Sequence, residues 1–141
     1  MKPSGSIVWL CLAVTLAGCG SRAPRLGTVN PTRQPVNQTI SAQVAAYRTN
    51  RHALSIPRTG TMTLRVTWSS PAVDLELYLA RPSCATLYPM KPCGIMASST
   101  TALSGSEVVS RFVNAGEQYS VFVDNLDPRQ PQRYRLSFFI P

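Results

Sequence analysis

The chain has 141 residues, with 14 Lys+Arg against 6 Asp+Glu and a formal net charge of +8. Apolar residues make up 44% and charged residues 14%, which is too apolar for a disordered chain, and the length is too short for two ordinary domains. Four cysteines are too few for a disulfide-dense mini-protein, and a lone histidine, His52, excludes a multi-histidine metal site within one chain.

Lys2 is the only charge before Arg22. Between them lies an apolar run from Ile7 to Leu16. It is about half the ~20 residues that a membrane-spanning helix needs, and it has the size and flanks of a secretory signal peptide. The run ends in Leu16, Ala17, Gly18 and Cys19. This resembles the bacterial lipobox, in which small residues precede a cysteine. The resemblance implies that residues 1–18 are a leader removed by cleavage. It also implies that the Cys19 thiol takes diacylglycerol through a thioether, and that the new amine is acylated with a palmitate-type chain. Two or three acyl chains anchor stably where one is marginal. An ordinary leader with Cys19 in a disulfide is the alternative. Gly20, not aspartate, follows the cysteine. In a Gram-negative host this resembles the pattern that sorts a lipoprotein to the outer membrane, facing the periplasm.

Residues 19–36 read as a tether, with Pro24, Pro31 and Pro35, two glycines and few large apolar side chains. Fully extended it reaches about 55–60 Å. From Cys19 to Arg51 there are five arginines and no acid, whereas from His52 to Pro141 eight basic residues face six acidic ones. The excess charge therefore sits on the membrane side, against anionic lipid or simply solvated. Nucleic acid is a poor partner for it, because no basic stripe interleaved with aromatics appears in the rest of the chain.

From residue 37 to 141 the pattern becomes short alternating runs. Met62, Leu64, Val66 and Trp68 share one face of Thr61–Trp68. Val73–Leu79, Tyr119–Val123 and Tyr134–Phe138 alternate likewise, and Leu54/Ile56 and Val108/Phe112 give shorter matches. Period two with one polar face predicts half-buried antiparallel strands. Turn signals separate them at Arg58–Gly60, Ser69–Pro71, Asn114–Gly116 and Asp127–Pro131. Seven or eight strands predict an all-β, antiparallel β-sandwich. Gln43–Tyr47 is the one candidate helical turn.

Gly60–Trp68 with Asp74–Leu79, then Glu107–Phe112 with Ala115–Val123, and finally Tyr134–Phe138 together resemble the bacterial pre-peptidase C-terminal (PPC) domain. The resemblance spans roughly residues 37–141. It implies a jelly-roll-like sandwich that is not catalytic, of a kind found beside exported enzymes. Some members of that family are implicated in binding polymeric substrates and some carry calcium. This chain departs from the usual setting: no peptidase precedes the domain, and a cysteine-bounded insertion interrupts it.

Cys84 and Cys93 are predicted to form a disulfide, since export favours pairing and the spacing is not Cys-x-x-Cys. Leu87, Tyr88, Pro89 and Met90 between them form a stapled tip, a candidate partner surface. Their alternative is to pack back on the sandwich. Tyr78 and Phe122 fall on faces opposite the apolar stripes, where outward aromatics stack on sugar rings or pack across strands with neighbours such as Arg65 or Arg135. Asp74 and Glu76 read as a solvated i, i+2 pair. Asp124, Asn125 and Asp127 form an acidic turn, with Asp124 and Asp127 the calcium candidates and a turn-capping role the alternative. His52 reads as a strand-edge histidine bonded to backbone. There is no Gly-x-Ser-x-Gly elbow, no His-Glu-x-x-His and no phosphate-binding loop. No cofactor is expected. The sequence thus predicts a lipid-anchored envelope protein with a non-catalytic sandwich that binds a protein or glycan partner. The alternative is a structural spacer in an envelope assembly.

Overall fold

A computed structural model describes residues 34–88, 93–102 and 104–141. The leader, Cys19, most of the tether, Pro89 and Met90 lie outside the described residues. Eight strands follow in order: β1 (Val36–Val44), β2 (Thr49–Ser55), β3 (Gly60–Trp68), β4 (Leu75–Ala80), β5 (Ile95–Ser99), β6 (Ser106–Val113), β7 (Gln118–Asn125) and β8 (Gln132–Ile140). They form two four-stranded sheets, β1-β8-β3-β6 and β2-β7-β4-β5. Every pairing is antiparallel. The pairs β1–β8, β2–β7, β3–β6 and β4–β5 are those of one long hairpin rolled up, the jelly-roll arrangement expected from the sequence.

Alternation decides which side chains enter the core. β3 turns Met62, Leu64, Val66 and Trp68 inward, and β8 turns Tyr134, Leu136, Phe138 and Ile140 inward. Leu75, Leu77, Leu79, Val121 and Val123 meet them from the other sheet. Each such side chain contributes roughly 1.5–3 kcal/mol when fully buried. Gly60 opens β3 where the chains pass closely: a Cβ there would stand 2.7 Å from Ile140 Cγ2. Between β3 and β4, Trp68 Nε1 donates to the Val73 carbonyl at 2.7 Å.

Three expectations are corrected. Gln43–Tyr47 is not a helical turn. Gln43 and Val44 finish β1, and Tyr47 sits at φ 54° in the turn to β2. On β6 the apolar pair Val108 and Phe112 faces solvent, and the inward positions are Glu107, Val109, Arg111 and Val113. Burial of Glu107 is possible because Oε1 accepts from Thr101 N (2.8 Å) and Ser104 Oγ (3.0 Å), and Oε2 accepts from Ser99 Oγ. His52 bonds a side chain, not the backbone: its Nε2 lies 2.6 Å from the Tyr134 hydroxyl, with the rings edge-on at 6.0 Å. Burial lowers the His52 pKa, which keeps the ring neutral beside that phenol.

Candidate functional site

The second sheet has a second, smaller core on its outer side. Tyr78 of β4 and Phe122 of β7 stand directly opposite each other in register. As the alternation predicts, both point away from the main core. They do not reach solvent, however: Phe122 is 1% exposed, and it packs with Tyr78, Ala80, Cys84 and Leu87. Of the two readings, cross-strand packing is the one observed, but the two rings pack with each other under a cover, because Arg65 and Arg135 belong to the other sheet. The cover is the segment after β4. Cys84 and Cys93 are joined by a disulfide, with their Cα atoms 5.0 Å apart. Of the two readings of the tip, Leu87 takes the second: it packs back onto Phe122 and Tyr78 and is buried.

Polar contacts fasten this segment to the sheet. Arg51 of β2 donates from Nε to Ser120 Oγ and from Nη2 to the Pro82 carbonyl, both at 3.0 Å. Ser120 Oγ donates in turn to the Cys84 carbonyl at 3.2 Å. Tyr88 donates its hydroxyl to Asp124 Oδ2 at 2.8 Å, and Thr49 Oγ1 donates to Asp124 Oδ1 at 2.6 Å. Asp124 is buried, so both carboxylate oxygens have charge-assisted partners. Burial first, and then the bond to Asp124, pushes the Tyr88 phenol up to about 12. Burial and the bond to Glu76 likewise raise Tyr78.

Beside the covering segment opens a cleft of about 460 Å³. One wall is Ala85–Tyr88, the floor is Phe122 and Asp124, and the other wall is Tyr47, Arg48, Thr49 and Arg51. Tyr47 is 70% exposed and Tyr88 is 49% exposed. Two half-open phenols thus face a cleft that also holds the Arg48 and Arg51 side chains. Aromatic faces with a few placed polar groups are the usual furniture of a binding cleft. Sequence reasoning missed Tyr47, Arg48 and Arg51 as site residues. Arg48 and Arg51 counted with the tether's charge, and the positive φ of Tyr47 has no signal in a residue type that seldom adopts it.

The other candidates do not converge here. Asp127 caps the β7–β8 turn, its Oδ1 accepting from Arg129 N (2.6 Å) and Gln130 N (3.0 Å). Asp124 faces hydroxyl donors instead, so the two calcium candidates serve different structures. Among the described residues no group of three His, Cys, Asp or Glu is placed to hold a metal ion. Asp74 and Glu76 also part company. Glu76 accepts from Tyr78, whereas Asp74 has its pKa raised by burial and by the charge of Glu107.

No family model matches the chain, and no curated protein matches it. Solved structures do share its fold. One is the pre-peptidase C-terminal domain of a collagenase from Bacillus anthracis, at TM-score 0.55 and 14% identity, covering 73% of this chain and 89% of that one. A second is the Yersinia pseudotuberculosis-derived mitogen, at TM-score 0.55 and 12% identity, covering 77% and 88%. A third is PliG of Aeromonas hydrophila, a periplasmic inhibitor of g-type lysozyme, at TM-score 0.53 and 15% identity, covering 74% and 86%. At such identities the likeness is one of fold. The sandwich that the PPC resemblance implied is the one observed.

Proposed function

We propose that this chain is a cell-envelope lipoprotein, anchored through acylated Cys19, whose non-catalytic sandwich binds a protein or glycan partner in the cleft beside the disulfide loop. The observation that carries the reading is the cleft itself. Tyr47 and Tyr88 offer large, stiff contact faces at small cost in conformational entropy. Arg48 adds a charged donor at the rim, and the buried Asp124 holds Tyr88 in place through a 2.8 Å bond. The hydroxyls of Thr49 and Tyr88 are both spent on the two oxygens of Asp124, an arrangement that fixes a contact surface and suits recognition. An envelope location fits the lipobox, and a periplasmic inhibitor with the same fold lends it support. In a Gram-negative host the leaflet is the outer membrane's periplasmic one.

The test is site-specific photo-crosslinking in living cells of a host that carries the gene. A crosslinker at position 47 or 88 is expected to capture one dominant protein or glycan. A crosslinker at Ser137, on the opposite sheet, is not. Arg48→Ala is expected to weaken capture from position 88 at least tenfold. Equal, scattered capture from all three positions overturns the reading and leaves a spacer. In the same cells Cys19→Ala is expected to lose the acyl mass and leave the membrane fraction.

A further inference from the structure

An edge strand presents a row of unpaired N–H and C=O groups, so natural sandwiches usually blunt their edges. The four edges here are β1 and β6 in one sheet and β2 and β5 in the other. Three of them carry a blunting device. β6 points Glu107 and Arg111 inward, and Ser99 Oγ accepts from its Val108 N–H at 3.3 Å. β5 has only five residues, and its register with β4 shifts between Leu79 and Ala80. β2 carries Arg51 and His52 at mid-strand.

β1 carries none. Its nine residues include no charge, no proline and no glycine. It pairs with β8 without a break from Val36↔Ile140 to Val44↔Gln132. Residues 37–41 are all exposed. Among them Ile40 is 42% exposed, although its register partner Leu136 is buried. The inward row of the sheet thus ends on an uncovered isoleucine.

The strand is also nearly a palindrome about Ile40. Val36 mirrors Val44, Asn37 mirrors Gln43, Gln38 mirrors Ala42, and Thr39 mirrors Ser41. An antiparallel copy rotated about a two-fold axis at Ile40 sets each residue opposite its mirror. Because the side-chain period is two, inward residues then meet inward residues. Valine faces valine, Asn37 faces Gln43, hydroxyl faces hydroxyl, and Ile40 covers its own twin, with Gln38 against Ala42 the one unlike pair. We propose that β1 is a self-association edge: two copies of this chain join β1 to β1 in an isologous dimer, making one continuous eight-stranded sheet. A second copy is the occupant because the strand's own sequence specifies that pairing, and an uncharged strand offers no pattern to select a different charged partner. The cleft lies on the other sheet, so this dimer does not depend on what the cleft binds.

Single-cysteine scanning of the full chain tests the register. Opposed Cα atoms on the axis stand roughly 4.5–5.5 Å apart, within disulfide reach. Ile40→Cys is therefore expected to yield a disulfide-linked dimer on a non-reducing gel, above the background of the unsubstituted chain. Val36→Cys stands about 27 Å from its own copy and is expected not to link. Mixed Val36→Cys and Val44→Cys chains are expected to link to each other. Ile40→Lys, at an exposed site that does not threaten folding, is expected to raise the dimer dissociation constant at least tenfold in sedimentation. Equal linkage at 36 and 40 overturns the proposal. So does a monomer at the highest soluble concentration, whether its β1 amides exchange freely or are protected by another segment of the same chain.

Discussion

The outer faces of the two sheets come from the same alternation and end in opposite states. On the β1-β8-β3-β6 sheet the outer rows hold Arg65, Arg133, Arg135, Thr63, Thr67 and Ser137, with Val108, Phe112 and Phe139 left in solvent. On the β2-β7-β4-β5 sheet the equivalent positions of β4 and β7 hold Tyr78, Ala80 and Phe122 with Glu76, Ser120 and Asp124, and all but Glu76 are buried. Their strands differ little in period. What differs is the stapled segment after β4, which lays Cys84 and Leu87 over one face and has no counterpart on the other among the described residues. Scattered exposed apolar residues need no cover, but a facing Tyr–Phe pair extended by alanine does. The covered face is also where the cleft forms, because a loop resting on a sheet leaves a crevice at its margin.

Truncating one aromatic on each face gives the largest contrast. Phe122→Ala removes a fully buried ring and is expected to cost about 3–5 kcal/mol in chemical denaturation. Phe112→Ala removes one that is 63% exposed and is expected to fall within about 0.5 kcal/mol of the parent. Similar costs for the two would show that the first sheet is covered as well. Removing the staple comes next. Replacing Cys84 and Cys93 together by alanine opens a loop with a sequence separation of 9 and is expected to cost about 2–3 kcal/mol by the chain-entropy account. The same variant is expected to lose crosslinking from position 88 while leaving Phe112→Ala as neutral as before. Retained crosslinking would mean that packing by Leu87, without the bond, holds the cleft wall.

How far the sequence could be read follows the same divide. β3, β7 and β8 were legible because uninterrupted alternation of large apolar residues leaves one way to face a core. The disulfide was legible from two cysteines in a chain that reads as exported. β6 was misread because its inward row mixes Val109 and Val113 with Glu107 and Arg111, while Val108 and Phe112 sit outside. Only the donors from Ser99, Thr101 and Ser104 make a buried Glu107 tolerable, and such partners come from folding, not from period. Phe122 reads on the correct side of its strand with exposure and cross-strand packing both open, because periodicity gives a direction and says nothing about what lies in that direction. Tyr47 was missed for a third reason: its role comes from a left-handed turn between sheets.

The smallest expected effect concerns alkali, and it separates the faces by chemistry instead of packing. The first sheet's outer face carries no tyrosine, whereas the second carries Tyr78 and Tyr88 under and beside the covering segment. A phenol held above its unfolded value favours the protonated form in the fold. For Tyr88 the unfolded value is 10.0 and the folded one about 12. Its contribution is therefore complete below pH 10 and fades as the pH rises towards 12. Tyr78 shifts in the same direction. Because Tyr88 is half exposed, solvent screens much of the effect, and the slope of stability against pH is expected to be shallow. Tyr88→Phe removes the bond to Asp124 and leaves a buried carboxylate oxygen without that donor, at about 1–3 kcal/mol near neutrality. In exchange it is expected to flatten the alkaline slope, followed by denaturation at a series of pH values with phenolate absorbance recorded alongside. Phe112→Ala, on the uncovered face, is expected to leave that slope unchanged. If Tyr88→Phe leaves it unchanged too, the other raised phenols, Tyr78, Tyr119 and Tyr134, govern the alkaline response, and the bond between Tyr88 and Asp124 does not hold the cleft wall against the sheet.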